Sequence, residues 1–170
     1  NDTDAVNEDA TITRNTSSTY ELDHDDLDAD DDDVSGSLAI TAIRTGSTEG
    51  SGSGGSINSN SYRTVTGTYG QLTLYSSGAY VYQANQNAAD ALDPNDYVFD
   101  YFNYTVSDGT ATDTAVITVL IWGVNDAPVA VNDTDAVNED ATITRNTSST
   151  YELDHDDLDA DDDDVSGSLA

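Results

Sequence analysis

The sequence predicts an all-β protein, an antiparallel two-sheet sandwich of about seven strands. Three observations support this fold class. Threonine, valine, isoleucine and tyrosine are plentiful, and short runs alternate between apolar and polar residues. No window of ten or more residues has the 3.6-residue apolar period of an amphipathic helix. Clusters rich in glycine, serine and asparagine separate the runs and are typical of turns.

Six runs have the alternation of β-strands. In the hairpin at 69–83, Gly78 lies where a turn needs a positive φ angle. Between the strands, residues 46–61 are rich in glycine and serine and predict a flexible surface loop. The predicted strands are 10–15, 37–45, the two arms of the hairpin at 69–83, 97–109 and 114–123.

The last two runs define the predicted core faces. In 97–109, Phe102, Tyr104 and Val106 share one face, and in 114–123 the residues Ala115, Ile117, Val119 and Ile121 do so. The opposite face of 114–123 is also largely apolar, with Val116, Leu120 and Trp122, so we expect this strand in the interior of its sheet. The natural solution is an immunoglobulin-like sandwich without the usual cysteine pair.

An internal repeat sets the domain organisation. Residues 1–39 return without a difference at 132–170, an offset of 131 residues, which is the size of a whole domain. We therefore expect 1–131 to be one complete repeat, with its junction at about 124–135, and 132–170 to be the first part of the next. Residues 40–170 are a circular permutation of the same unit, so the sequence leaves open which copy of the 39 residues packs on the body at 40–131. Because both ends lie within a repeat, we expect a piece of a longer tandem array. The surplus 39 residues are too few for a core, so we expect them to dock on a neighbouring chain by strand exchange or to form an extended stub.

The charge is extreme. The 170 residues carry 34 acidic and four basic side chains, all four arginine, for a net charge of −30. Such a surface repels phosphates, so we expect neither nucleic acid nor anionic lipid as a partner. No apolar run is long enough for membrane insertion, and the absence of cysteine excludes disulfides and thiolate metal sites.

Three successive blocks carry a family resemblance: YGQLTLYSSGAYVY at 69–82, FNYTVSDG at 102–109 and TDTAVITVLIWGVNDAP at 112–128. They resemble VCBS-type repeats, which are related to the bacterial cadherin-like domains of giant secreted adhesins. DDLDADDDD at 25–33 resembles the aspartate-alternating loop near the front of such domains. The resemblance implies a calcium-binding β-sandwich in the extender of a repeats-in-toxin adhesin. It also implies type I secretion to the extracellular face of the bacterial cell.

The aspartate tract is the main candidate metal site. Seven of the eleven residues from His24 to Val34 are aspartates, and calcium takes six to eight oxygen ligands. Leu27 could anchor the loop to the protein, whereas a solvated run of like charge, the alternative, needs no such anchor. An EF-hand does not fit, because counting from Asp26 its glycine position is Asp31, and zinc is disfavoured with one histidine per copy. The predicted calcium ligands are Asp26, Asp28, Asp30 and Asp32 in the first copy and Asp157, Asp159, Asp161 and Asp163 in the second.

The junction around Pro128 is a second candidate, since cadherin-like domains bind calcium between neighbours. We expect Asp108, in the motif VSDG, to lie near the same pole. The alternative is a merely polar proline linker. The predicted ligands are Glu8, Asp108, Asn125, Asp126, Asp133, Asp135 and Glu139.

The sequence favours a structural function. Identical copies suit a calcium-stabilised extender, in which each repeat contacts the neighbouring identical repeats and serves to add length. The alternative is a module that binds carbohydrate or a cell surface, because ten tyrosines and Trp122 could stack on sugars, although their alternating positions favour core packing for most. We expect no enzymatic activity, since His24 and His155 lie in acidic tracts without an evident nucleophile.

Overall fold

A computed structural model describes residues 2–15, 38–57 and 61–144. The chain divides into two compact units, Asn1–Val124 and Asn125–Ala170. All regular strands of the described part belong to the first unit. They are β1 Asp2–Asn7, β2 Thr11–Arg14, β3 Ala39–Thr45, β4 Gly54–Ser56, β5 Tyr62–Thr66, β6 Gln71–Tyr75, β7 Tyr80–Gln83, β8 Tyr97–Ser107 and β9 Thr112–Trp122, with one short helix, α1 Asn87–Asp90.

The strands form two sheets, and the prediction of an all-β protein is confirmed. One sheet has five strands in the order β1-β9-β8-β3-β4, and the other has four in the order β2-β7-β6-β5. Every pairing is antiparallel except that of β1 with β9, which is parallel. The chain therefore changes sheets between β1 and β2, and β9 lies between β1 and β8 as expected of an interior strand.

The two sheets share a single core, the arrangement of a β-sandwich. The five-stranded sheet contributes the predicted faces of β8 and β9, including the fully buried Phe102, Tyr104 and Ile117. Leu74 and Tyr82 face them from the other sheet, and the rings of Tyr82 and Phe102 meet edge to face at 6.0 Å between centroids. Burial of large apolar side chains thus replaces the missing disulfide as the staple of this sandwich.

The structure has more strands than the sequence predicted. β1, β4 and β5 were not predicted, and the described part of the chain has nine strands rather than about seven. β4 lies inside the stretch expected to be an irregular loop, where Gly54 and Gly55 adopt φ angles of +149° and +147°. A Cβ at Gly54 would lie 2.2 Å from the Ile43 carbonyl oxygen, so only glycine allows this close approach of β4 to β3.

The second unit is described from Asn125 to Thr144, and this stretch contains no regular strand. It includes the counterparts of all the residues of β1 and of the first three residues of β2. One local feature is common to both copies, a turn in which the fourth backbone N–H bonds the first carbonyl oxygen. That bond is 3.2 Å long both for Ala10 with Asn7 and for Ala141 with Asn138. The aspartate in each turn has a positive φ, 58° at Asp9 and 62° at Asp140.

Candidate metal site

The aspartate tract itself lies outside the described residues. This holds for Asp26, Asp28, Asp30 and Asp32 and for their second-copy counterparts Asp157, Asp159, Asp161 and Asp163. Calcium ligation by these side chains therefore stays a prediction from the sequence. Within the described part of the chain, no group of three or more histidine, aspartate or glutamate side chains is placed to hold a metal ion.

Glu8 lies at the end of the first unit where the chain leaves β9. It occupies the turn after β1 and is only 2% exposed. Its Oε1 accepts a hydrogen bond from the Val124 backbone N–H, and its own N–H donates to the Trp122 carbonyl oxygen at 2.9 Å. This buried carboxylate therefore fixes the last residues of the unit to the turn between β1 and β2.

Asp108 does not lie at that end of the first unit, so the expectation that it shares a pole with the end of β9 was wrong. It belongs to the turn that joins β8 to β9, where its Oδ1 accepts hydrogen bonds from the N–H groups of Thr110 and Ala111 at 2.5 and 2.7 Å. The hairpin pairs Ser107 with Thr112 beside this turn and Tyr97 with Trp122 at the far end. Eleven residues of strand span about 35 Å, which separates Asp108 from the end held by Glu8.

The remaining junction residues are described within the second unit. Asn125, Asp133, Asp135 and Glu139 are exposed, and Asp126 is half-buried. The Asn125 amide donates to the Asp126 carbonyl oxygen, and Asp135 Oδ1 accepts from the Ala136 N–H at 2.7 Å. The side chains of Asn125 and Asp135 therefore make local backbone contacts.

Two carboxylates have structural roles that the sequence did not predict. Asp4 lies on β1 and accepts two hydrogen bonds from the Arg14 guanidinium, both 2.7 Å, and one from the Tyr80 hydroxyl at 2.9 Å. The bond to Asp4 raises the pKa of Arg14, and burial, with Asp4 nearby, raises the pKa of Tyr80. Asp4 thus links β1 in one sheet to β2 and β7 in the other.

Asp100 is the most enclosed of these carboxylates, at 4% exposure. It accepts hydrogen bonds from the backbone N–H groups of residues 68, 69 and 70, each 3.2 Å, and from the Tyr82 hydroxyl at 3.0 Å. Burial raises the pKa of Tyr82, and the Asp100 charge adds to the effect. A Cβ at Gly67 would lie 2.2 Å from Asp100 Oδ2, so glycine is needed there. The alternation that predicted Phe102 and Tyr104 in the core, continued by one step, already placed Asp100 on the same face.

The five-stranded sheet has an exposed aromatic strip on its outer face, formed by Tyr97, Phe99, Tyr101 and Trp122. These side chains are 56%, 41%, 39% and 39% exposed. Tyr97 contacts Trp122 and Phe99 with ring centroids 5.2 and 5.8 Å apart, and Phe99 lies 6.1 Å from Tyr101. The expectation that most of the tyrosines and Trp122 pack in the core is thus correct for Tyr80, Tyr82 and Tyr104. It is wrong for the exposed Tyr62, Tyr75, Tyr97, Tyr101 and Trp122. The strip is a contiguous apolar patch of the kind that marks contact surfaces.

Another part of that outer face, at Asn103 of β8, is covered by the glycine-rich loop after β3. Asn103 lies on the outer side of β8 and is fully buried under this loop. Its amide nitrogen donates to the carbonyl oxygens of Gly46 and Ser51 at 3.0 Å each, and its Oδ1 accepts from the Gly50 N–H at 3.1 Å. One side chain therefore anchors a loop whose composition gave no apolar anchor before Ile57.

Comparisons with known proteins leave these features without a family assignment. The described residues contain no helix long and apolar enough to cross a membrane. No protein-family model matches the sequence, and no curated protein matches it significantly.

Proposed function

We propose that this chain is part of a structural extender, in which identical β-sandwich repeats are joined end to end and stiffened by calcium. The observation that carries the proposal is the parallel pairing of the first and last strands, with Asp2 opposite Ile117 and Asn7 opposite Trp122. Because β1 and β9 run in the same direction, the chain enters the sandwich towards one end and leaves at the other. A repeat of this kind adds length to an array with every copy.

The finer fold that we propose is immunoglobulin-like. The pairs β8-β3 and β8-β9 in one sheet and β2-β7-β6 in the other follow the order of strands in that sandwich, with β1 added beside the last strand. This order supports the proposed relation to VCBS-type and cadherin-like repeats, which rests on the sequence blocks. In that setting the repeats belong to an extracellular bacterial adhesin and contact one another rather than a nucleic acid or a membrane.

Calcium is proposed as the ion that makes such an array stable. A net charge of −30 opposes compaction unless cations offset it, and the aspartate tract concentrates hard oxygen ligands. A second proposed position is the junction. Glu8 lies buried at the end of the sandwich and bonds Val124, and Asn125 and Asp126 directly follow Val124 in the sequence. We propose a mechanical role, with no catalysis.

The test combines stability with dimensions. Thermal unfolding of this chain is followed in EDTA and in millimolar calcium, with magnesium as the control cation. Calcium at about 100 times its Kd stabilises by about 2.7 kcal/mol per site, which raises the Tm by roughly 10 °C for a unit of this size. Small-angle X-ray scattering of arrays of two and four repeats gives a maximum dimension that grows by about 40 Å per repeat in calcium. An unchanged Tm in calcium, or dimensions that do not grow with repeat number, would refute the extender.

The aromatic strip favours a second candidate, a module that binds neutral carbohydrate. Four exposed rings lie side by side on one sheet face, and aromatic faces stack on the apolar faces of sugars. The acidic surface disfavours anionic glycans. A neutral oligosaccharide array and the Trp122 fluorescence test this candidate, with Tyr101→Ala expected to weaken binding. The extender alone predicts no binding in either measurement.

A further inference from the structure

β1 covers only half of the strand beside which it lies. Its register runs from Asp2 opposite Ile117 to Asn7 opposite Trp122, whereas β9 begins at Thr112. In the described part of the chain, Thr112–Ala115 pair with β8 alone. An edge of this length can accept a further parallel strand segment.

The second copy carries a sequence that fits this edge. Directly before its β1 residues it has the segment Ala-Pro-Val-Ala-Val at 127–131. Since Asn132 is the counterpart of Asn1, the register of β1 continued backwards puts Val131 opposite the counterpart of Ala115 and Val129 opposite that of Asp113. Pro128 has no N–H to donate and suits the first position of an edge strand.

The alternation of β1 puts both valines on the core side. In β1 the inward residues are Asp2, Asp4 and Val6, every second position, and only Val6 among them is apolar. Two and four positions before Asp2, the same face is taken by the counterparts of Val131 and Val129. Next to Val131 would lie Ala115, which already packs partly against the core, and next to Val129 would lie Asp113, with Val106 beyond it on β8.

The exposure of the valines supports this placement. In the second unit Val129 is 61% exposed, Val131 39% and Val137 55%. Val137 is the counterpart of Val6, which is only 9% exposed where β1 pairs with β9. The three valines are an even number of positions apart, so they would share one face of an extended strand, and in the first copy pairing with β9 buries the counterpart Val6.

We propose that Pro128–Val131 forms the first half of β1 in the repeat that follows, paired in parallel with that repeat's counterpart of Thr112–Ala115. The partner of this edge is therefore the preceding repeat of the same sequence. Because Val124 is held by Glu8 at the end of one sandwich, only Asn125, Asp126 and Ala127 would then lie between the two repeats. Three residues reach about 10 Å, which leaves little freedom for a hinge.

The proposal rests on the tandem arrangement of the proposed function, and its test uses neither calcium nor length. Ala-Pro-Val-Ala-Val is added before Asn1 of the full chain. The matched control extension is Ala-Pro-Thr-Ala-Thr, which keeps the shape and β-propensity but puts hydroxyls on the core face. Both chains are compared with the unextended one by thermal unfolding and by amide hydrogen exchange, in EDTA and in calcium.

The valine extension is expected to raise the Tm by about 5 °C and the threonine extension by clearly less. It is also expected to slow exchange at least tenfold for those amides of Thr112–Ala115 that point away from β8. Equal effects of the two extensions, or unchanged exchange along this edge, overturn the proposal. A Tm raised by the valine extension in a chain that does not respond to calcium would support this strand and count against the calcium-stabilised extender.

Discussion

At the scale of single residues, Asp100 shows how a buried charge can hold a fold together. It accepts hydrogen bonds from three backbone N–H groups at 68–70 and from the Tyr82 hydroxyl. Replacing it in Asp100→Ala leaves these donors without an acceptor. We expect the free energy of unfolding to fall by about 3 kcal/mol in urea titrations. Asp113→Ala, at an exposed aspartate of β9, is the control and is expected to change it by less than about 0.5 kcal/mol. Similar losses in both variants would contradict this role of Asp100.

The raised pKa values of Tyr80 and Tyr82 predict instability at alkaline pH. Above the ordinary tyrosine pKa of about 10, the unfolded chain releases protons that the folded chain retains, so unfolding becomes more favourable as pH rises. Each tyrosine contributes a slope of up to about 1.4 kcal/mol per pH unit, and neither contributes below about pH 9. In urea titrations between about pH 8 and pH 11, Tyr82→Phe should make the alkaline slope clearly smaller. An unchanged slope in this variant would rule out Tyr82 as its source.

At the scale of elements, the two copies separate local structure from structure that needs a partner. The turn after β1 forms in both copies, with the same 3.2 Å hydrogen bond and a positive φ at its aspartate. Within the described residues, the sequence of β1 forms a strand only in the first copy, where β9 supplies its hydrogen-bonding partners. The turn is therefore determined by a few adjacent residues, whereas the strand β1 depends on residues more than a hundred positions away.

A pair of matched substitutions measures this dependence on context. Val6→Ala removes two buried methyl groups from the core, and we expect the free energy of unfolding of the first unit to fall by about 2 kcal/mol. Val137→Ala makes the identical change in the second copy, where the side chain is exposed, and should alter it by less than about 0.5 kcal/mol. Trp122, in β9, reports the unfolding of the first unit by fluorescence. Equal losses would mean that Val137 is also buried in solution.

Strands with apolar alternation could be predicted from the sequence, and strands held by polar groups could not. β2, β3 and β6 to β9 were found from the spacing of their apolar residues. β1 was missed because two of its three inward residues are Asp2 and Asp4, which bond the hydroxyls of Tyr104 and Tyr80. A carboxylate on the core face looks like a loop residue until its donor is known, and the donor comes from a distant strand.

At the scale of the whole molecule, the total charge can be read from the sequence, but the partner of each carboxylate cannot. Several carboxylates of the first unit, such as Asp4 and Asp100, accept hydrogen bonds from other groups of the sandwich. They are separated in sequence from the groups they bind, so counting acids along the chain could not assign them. The tract at 25–33 differs because its carboxylates are adjacent in the sequence with no basic residue between them, so their mutual repulsion can be predicted from the sequence alone.

The proposed calcium loop can be tested with two double variants that change the net charge equally. Asp28→Asn with Asp30→Asn removes two predicted ligands, whereas Asp31→Asn with Asp33→Asn removes two neighbours expected to face solvent. In EDTA both variants should raise the Tm slightly and to the same extent, because each relieves the same repulsion. In millimolar calcium at constant ionic strength, only the first variant should lose most of the calcium-dependent rise in Tm, since ligand oxygens act at contact distance and screening does not distinguish the pairs. Equal losses in the two variants would show that the tract attracts calcium only as a diffuse counter-ion, and the proposed ligand set would then be wrong.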